Sequence, residues 1–199
     1  MAARIAVLAS GGGTNLQAIV DYHAQHAATV AGSITLVCAN RESAGALERA
    51  RESAIPTVVI DGSDAGESLL AALALHSIDL VVLAGYLKQI PPAVVRRYHG
   101  RIINIHPGLL PDFGGPGMYG ARVHAAVIAS GAAVTGVTVH FVDDQLDHGP
   151  VIAQWKVKVA ADDTAESLAA RVLEVEHLVY PRIVDMVAAL NVTAHSPGL

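Results

Sequence analysis

The sequence predicts a single α/β domain with a Rossmann-like sheet of about seven strands, mainly parallel, and helices on both faces. Short apolar runs alternate with amphipathic stretches along most of the 199 residues, which is typical of repeated strand–helix units. The runs are short and mostly apolar, as in strands that are buried on both faces of a sheet. Although 52% of the residues are hydrophobic, no apolar run approaches the roughly 20 residues of a membrane span. We therefore expect no contact with a membrane.

The first five strands are predicted from apolar runs at residues 5–9, 34–38, 57–60, 80–84 and 102–105. Amphipathic stretches between these runs predict helices over residues 15–26, 45–53, 63–76 and 92–98. The last of these follows Pro91-Pro92, and proline is favoured at the start of a helix. After Gly131 two strand-like runs, 134–142 and 151–159, have no helical pattern between them. We expect these two strands to be antiparallel or edge additions.

A final helix is predicted from Thr164 to about Leu190, because apolar residues recur there at helical spacing. Asp162 and Asp163 precede it and place negative charge near its amino end. Pro181 lies within this span and predicts a kink or a break. We expect one domain over residues 1–190, followed by a flexible polar tail over residues 191–199.

Charge and cysteine content limit the classes of function. The formal net charge is −5, and the Lys and Arg residues are scattered, so we expect no nucleic-acid partner. Small-molecule substrates are the expected partners, with a homodimer as the candidate assembly. The single cysteine, Cys38, lies in an apolar run and is expected to be buried. No signal or transit peptide is apparent, and we expect a cytoplasmic protein.

A glycine-rich loop at residues 10–15 follows the first strand and precedes a helix. Backbone N–H groups in such a loop can approach an anion, and the amino end of the helix favours negative charge. The loop lacks the Gly-Lys-Ser/Thr ending of a P-loop. Leu16 stands at the third glycine position of the dinucleotide fingerprint, and Asn40 stands where that fingerprint needs an acidic residue. The loop therefore predicts a phosphate site without a dinucleotide, the alternative being a tight turn without a ligand.

The most informative segment is Asn104-Ile105-His106-Pro107, at the end of the fifth predicted strand. Side chains two positions apart on a strand point to the same face, so the amide and the imidazole should lie together. Ligands of open α/β sheets bind at the carboxyl ends of the strands. A polar cluster with three carboxylates, Asp143, Asp144 and Asp147, follows the sixth predicted strand. An amide, an imidazole and a carboxylate are the groups of an acid–base and oxyanion site.

Six segments in this order resemble the phosphoribosylglycinamide formyltransferase family. They are LASGGGTNLQAI at 8–19, VLAGY at 82–86, NIHPGLLP at 104–111, VHFV at 139–142, LDHGP at 146–150 and EHLVYP at 176–181. The resemblance extends from about residue 4 to residue 185. It implies transfer of a formyl group from 10-formyltetrahydrofolate, as co-substrate and without a metal, to the amine of glycinamide ribonucleotide in purine biosynthesis.

The resemblance also implies the site residues. Asn104, His106 and Asp147 would be catalytic, the first two stabilising the formyl oxyanion and the last two moving a proton. The phosphate and ribose of glycinamide ribonucleotide would be bound by Gly13, Thr14, Asn15 and Glu176. The folate would be bound by Leu87, Lys88, Gln89, Ile90, Asn104, Asp143 and Asp144.

Several alternatives stay open at this point. Formyltetrahydrofolate deformylase has similar motifs but gives the formyl group to water, and methionyl-tRNA formyltransferase shares the formyl-folate core. His106, His140 and Asp147 could form a metal site of two histidines and one carboxylate. A non-catalytic module that binds phosphate or folate is the last alternative.

Overall fold

The computed structural model describes residues 2–62 and 64–194, which form one seven-stranded sheet with helices on both faces. In chain order the elements of this part are β1 (Ala3–Ala9), α1 (Thr14–Gln25), β2 (Gly32–Ala39), α2 (Gly45–Glu52), β3 (Thr57–Val59), α3 (Ala65–Leu75), β4 (Leu80–Leu83), α4 (Pro92–Arg97), β5 (Ile102–His106), α5 (Ala121–Ser130), β6 (Val134–Phe141), β7 (Val151–Lys158) and α6 (Ala165–Ala194). The predicted fold class is confirmed. Within this part of the chain, no helix is long and apolar enough to cross a membrane.

The strand order is β3-β2-β1-β4-β5-β6-β7. Strands β1 to β5 pair in parallel, whereas β6 is antiparallel to both β5 and β7, as the sequence predicted. The chain moves from β1 to β2 on one side and returns to β4 on the other. The carboxyl ends of β1 and β4 therefore border the crevice in which open α/β sheets bind ligands.

The central strands β1, β4 and β5 are buried on both faces, and this explains why they are nearly continuous apolar runs. Along β1, Ile5 and Val7 pack into one hydrophobic cluster, which includes residues of α1 and α6. The alternate residues Ala6 and Leu8 pack into a second cluster on the opposite face, with residues of α3 and α4. Cys38 belongs to this second cluster and is fully buried, as predicted; burial raises the pKa of its thiol to about 12.

Three features differ from the sequence predictions. Helix α5 was not predicted; its amino end follows a glycine-rich loop and has no side-chain cap. Helix α6 runs through Pro181 without interruption, although a kink or break was predicted. Tyr180 and Val184 are fully buried on either side of the proline, and this packing maintains the helix. The same helix includes residues 191–194 of the predicted tail, whereas residues 195–199 lie outside the described residues.

Candidate active site

A cavity of about 490 Å³ opens at the carboxyl ends of β4 and β5. Its walls come from the loops after β4, β5 and β6 and from α5 and α6. Asn104, His106 and Asp147, the three predicted catalytic residues, all line it. The cavity is thus where the topology predicts a ligand site, and polar side chains converge at its inner end.

Asn104 is held by a histidine of the neighbouring strand. Antiparallel pairing of β5 with β6 places His140 directly opposite Asn104. The Nδ1–H of His140 donates to the carbonyl oxygen of Phe141 at 2.8 Å, so its Nε2 is free to accept. Asn104 Nδ2 donates to this Nε2 at 3.1 Å. One amide hydrogen of Asn104 is therefore fixed, and the second remains available for a ligand.

His106 is almost completely buried, and both of its ring nitrogens face polar atoms. Nε2 lies 2.7 Å from the carbonyl oxygen of Phe113. Since a carbonyl oxygen only accepts, this nitrogen carries the proton when the ring is neutral. Nδ1 lies 3.7 Å from an oxygen of the Asp147 carboxylate, which is an ion-pair distance rather than a hydrogen bond. Nδ1 is therefore the nitrogen that can take up a proton.

Burial controls the charge of His106. Loss of hydration lowers the pKa of the imidazole, and this outweighs the Asp147 carboxylate and the Phe113 carbonyl, which both raise it. The net direction is downward, so the ring is neutral near pH 7. The resting side chain is thus a base with Asp147 in place to stabilise the imidazolium once it forms.

Asp147 is oriented by a tight turn after β6. Its φ is +55°, a left-handed conformation that aspartate tolerates better than most side chains. The backbone N–H of Gly115 donates to Oδ2 at 3.0 Å, and Oδ1 lies 3.8 Å from Nε2 of His140. The carboxylate thus faces both buried histidines from a fixed position.

At the opposite wall, Asn15 of α1 and Glu176 of α6 meet. Nδ2 of Asn15 donates to Glu176 Oε2 at 2.7 Å, and both side chains are buried. Burial raises the pKa of Glu176 from 4.5 to about 7, and the bond from Asn15 opposes this only in part. Oδ1 of Asn15 has no hydrogen-bond partner among the described residues. One unused acceptor and a carboxyl group next to it suit a ligand with neighbouring hydroxyl groups.

The structure places the predicted folate residues at the cavity, with the exception of Asp144. Leu87, Lys88, Gln89 and Ile90 line the cavity, and the backbone N–H of Leu87 is anchored to the Ser10 hydroxyl at 2.9 Å. Asp143 also lines the cavity. Asp144 is exposed and lies outside the cavity lining, so the prediction for this residue has no support from the cavity geometry.

The predicted phosphate residues also lie apart from the main cavity, except for Asn15. Gly13 is buried and Thr14 is exposed, and neither lines the cavity. Gly13 precedes α1 with a φ of +76°, and no side chain caps the helix. The amino end of α1 therefore presents uncapped N–H groups beside the cavity wall that Asn15 forms.

Two histidines of the site were not assigned a role in the predicted reaction. His140 was considered only as a metal ligand, whereas the structure shows it as the partner of Asn104. His124 of α5 lines the cavity and is buried, and its Nδ1 lacks a hydrogen-bond partner within the described chain. The pairing of Asn104 with His140 could have been found only from the register of β5 and β6.

The metal alternative is not supported by the geometry. Among residues 2–62 and 64–194, no group of three or more His, Cys, Asp or Glu side chains could hold a metal ion. The two histidines instead use their nitrogens for hydrogen bonds to carbonyl oxygens and to Asn104.

Comparisons with known proteins identify the family of the chain. A family model described as formyl transferase matches residues 3–184. The chloroplastic phosphoribosylglycinamide formyltransferase of Vigna unguiculata is 41% identical over 98% of this chain, which spans 64% of that protein's length. The phosphoribosylglycinamide formyltransferase of Escherichia coli is 39% identical over 96% of this chain and 90% of its own length.

Solved structures of formyltransferases also share the fold of this chain. Glycinamide ribonucleotide transformylase 1 from Geobacillus kaustophilus is 38% identical, with a TM-score of 0.86 over 94% of this chain and 100% of that chain. A formyltetrahydrofolate deformylase from Pseudomonas syringae is 27% identical, with a TM-score of 0.82 over 93% of this chain and 61% of that chain. The fold is thus common to a transferase and a hydrolase of formyl groups.

Proposed function

The chain belongs to the formyl transferase family, and from this premise we propose that it transfers the formyl group of 10-formyltetrahydrofolate to the amine of glycinamide ribonucleotide in purine biosynthesis. One observation carries the proposal. Asn104, His106 and Asp147 converge at the inner end of a single cavity, where an amide donor, a neutral imidazole and a carboxylate are within reach of one reacting centre.

The oxyanion is assigned to Asn104. When the amine attacks the formyl carbon, a tetrahedral intermediate forms and negative charge develops on the formyl oxygen. His140 holds one amide hydrogen of Asn104, which leaves the other to donate to that oxygen. A preoriented donor of this kind contributes about 3–4 kcal/mol to transition-state stabilisation.

Proton transfer is assigned to His106. The attacking amine must lose a proton as its bond to the formyl carbon forms, and the folate nitrogen must gain one as its bond to the carbon breaks. Nδ1 of the neutral ring accepts the first proton, and the carboxylate of Asp147 stabilises the resulting imidazolium at 3.7 Å. The ring then donates this proton to the leaving folate nitrogen, so no external acid or base is consumed.

The remaining parts of the two substrates are assigned to the cavity walls. The ribose hydroxyls would donate to the Glu176 carboxylate and to Oδ1 of Asn15. The phosphate would bind the N–H groups of Gly13 and Thr14 at the amino end of α1. The pteridine would lie along residues 87–90, with the 143–144 segment at its edge.

The test is release of tetrahydrofolate from 10-formyltetrahydrofolate, followed by absorbance with and without glycinamide ribonucleotide. We expect release that depends on the amine substrate. Release that ignores the amine would identify a deformylase, and no release in either case would favour a binding module.

The Asp147→Asn variant tests the proton-transfer role. We expect kcat to fall by more than tenfold, because the neutral amide no longer stabilises the imidazolium. We also expect the acid limb of the kcat/KM profile to move to lower pH, because the carboxylate raises the pKa of His106. Asp162→Asn removes the same charge from an exposed position away from the cavity and serves as the control. Equal rates in all three proteins would refute the role of Asp147.

A further inference from the structure

The glycine-rich loop is supported from behind by α2. Ala46 N–H donates to the carbonyl oxygen of Gly11 at 3.1 Å. Arg49 Nε donates to the carbonyl oxygen of Gly12 at 2.7 Å, and its Nη1 donates to Gln17 Oε1 at 3.2 Å. One helix therefore holds two consecutive carbonyl groups of the loop, and a half-buried guanidinium group links the loop to α1.

These contacts determine where the N–H groups of the loop point. In a planar trans peptide the C=O and the following N–H point in opposite directions. Since the carbonyls of Gly11 and Gly12 face α2, the N–H groups of Gly12 and Gly13 face away from it. The carbonyl of Gly13 accepts from Gln17 N–H at 2.9 Å, so the N–H of Thr14 points out of the amino end of α1. None of these three N–H groups has a hydrogen-bond partner within the described part of the chain.

A second, independent observation points to a ligand site next to these donors. The side chain of Asn15, the next residue, is 92% buried and lines the cavity wall, yet its Oδ1 has no partner in the described residues. A buried acceptor without a partner costs stability unless a ligand satisfies it. The anion donors of the loop are thus next in sequence to Asn15, which forms part of the cavity wall.

We propose that Arg49 is a positioning and specificity residue for the phosphate of the amine substrate. Its guanidinium holds the Gly12 carbonyl away from the anion, so that the N–H groups of the loop are preoriented, and it places a permanent positive charge behind them. This inference rests on the proposed function, because the phosphate belongs to glycinamide ribonucleotide. The residue is expected to affect recognition of the phosphate and not the chemical step.

The test compares Arg49→Ala with the wild type on two amine substrates, glycinamide ribonucleotide and the same molecule without its phosphate. We expect KM for the phosphorylated substrate to rise about tenfold and kcat to change less than twofold, whereas kcat/KM for the dephosphorylated substrate stays unchanged. Arg51→Ala is the matched control, since Arg51 lies on the same helix and pairs with Glu48 at the surface. It should behave as the wild type does with both substrates.

Two further measurements separate the outcomes. Arg49→Lys keeps the charge, and its KM should lie between those of the wild type and Arg49→Ala; it also replaces the alanine variant if that variant does not fold. Calorimetric titration with ribose 5-phosphate, with ribose as the reference, measures the phosphate contribution without turnover. Equal losses on both amine substrates, or equal affinity of wild type and variant for ribose 5-phosphate, would overturn the inference. A wild type that binds ribose 5-phosphate through Arg49 but transfers no formyl group would refute only the proposed function.

Discussion

Replacement of Gly13 by alanine tests whether α2 is a rigid support for the glycine-rich loop. Gly13 has a φ of +76°, and a left-handed conformation costs a residue with a Cβ about 1–2 kcal/mol. An added Cβ would also lie 2.7 Å from Ala46 Cα and 2.8 Å from Ala46 Cβ. Overpacking of this kind costs about 1–3 kcal/mol when the neighbour is backbone and cannot rotate away.

The net change in the free energy of unfolding combines these two costs with one stabilising contribution from the unfolded chain. Alanine reduces the freedom of the unfolded chain, which returns about 0.4–1 kcal/mol. Gly13→Ala should therefore lower the free energy of unfolding by about 1–4.5 kcal/mol, a large share of the roughly 5–15 kcal/mol of an ordinary domain. It should also raise KM for the phosphorylated amine substrate, because the N–H groups at the loop move when α2 and α1 are forced apart.

Two other glycines separate the conformational cost from the steric cost. Gly100 has a φ of +69° with open space around the added Cβ, so Gly100→Ala carries the conformational cost alone, about 1 kcal/mol or less after the gain in the unfolded chain. Gly12 has neither a left-handed φ nor a neighbour within 4 Å of the added Cβ. Gly12→Ala should therefore leave stability unchanged or slightly raised.

The assay is urea unfolding at 25 °C, with the free energy of unfolding obtained from the midpoint and slope of each transition. The expected order of destabilisation is Gly13→Ala, then Gly100→Ala, then Gly12→Ala. If Gly13→Ala costs no more than Gly100→Ala, α2 yields to the new methyl group. In that case α2 does not hold the loop rigidly.

Two further predictions concern α6. The buried Glu176 carboxyl, whose pKa is raised from 4.5 to about 7, must ionise in the folded state as the pH rises. The contribution of this group to the free energy of unfolding should therefore be greatest below about pH 4.5. It should fall as the pH rises from there through the folded-state pKa of about 7. Between pH 5 and pH 8 this loss amounts to about 2.5 kcal/mol at 1.36 kcal/mol per pKa unit, because the unfolded carboxyl is already largely ionised at pH 5. In urea titrations at these two pH values, Glu176→Gln should remove the loss, whereas Glu174→Gln at an exposed position of the same helix should not. Equal pH dependence in the three proteins would contradict the assignment. Tyr180→Phe deletes a buried hydroxyl whose single hydrogen is shared between a carbonyl of β4 at 2.8 Å and one of β5 at 3.4 Å. The free energy of unfolding in urea should therefore fall by about 1–3 kcal/mol. A change under about 0.5 kcal/mol would show that the hydroxyl does not join these strands.

The central strands could be predicted because burial on both faces makes them nearly continuous apolar runs. The ends of the seven predicted strands agree with the structure to within about two residues. Helix α5 could not be predicted in the same way. Its buried residues, Val123, His124 and Val127, are few, and one of them is polar. No side chain caps its amino end, so the local signals of a helix start are missing. Its position depends on packing against α6 instead, which single-sequence patterns do not contain.

For α6 the local rule and the tertiary structure disagree. Pro181 lacks the N–H that would bond to the carbonyl of His177, and the sequence rule predicts a break. The helix continues because its buried face contacts the sheet before and after this position, at Tyr180 and Val184. Packing over many turns compensates for one lost hydrogen bond.

From the residue pattern alone, the candidate site could be predicted where it depends on strand ends, whereas Glu176 of α6 followed from the family resemblance. Asn104 and His106 share a face by the two-residue period of a strand, and both line the cavity. The link between Asn104 and His140 could not be predicted, because a long segment including α5 separates β5 from β6. The register across such a connection is set by tertiary packing and not by a turn sequence.

The charge of His106 also depends on the three-dimensional structure, and it decides how the proposed reaction runs. From the sequence, a carboxylate near the ring suggests an imidazolium. In the structure, burial lowers the pKa of the ring more than Asp147 raises it. A substrate that fills the cavity excludes more water and acts in the same direction. His106 is therefore neutral before the amine attacks and charged only while it holds the transferred proton, and this is the state in which Asp147 stabilises it most.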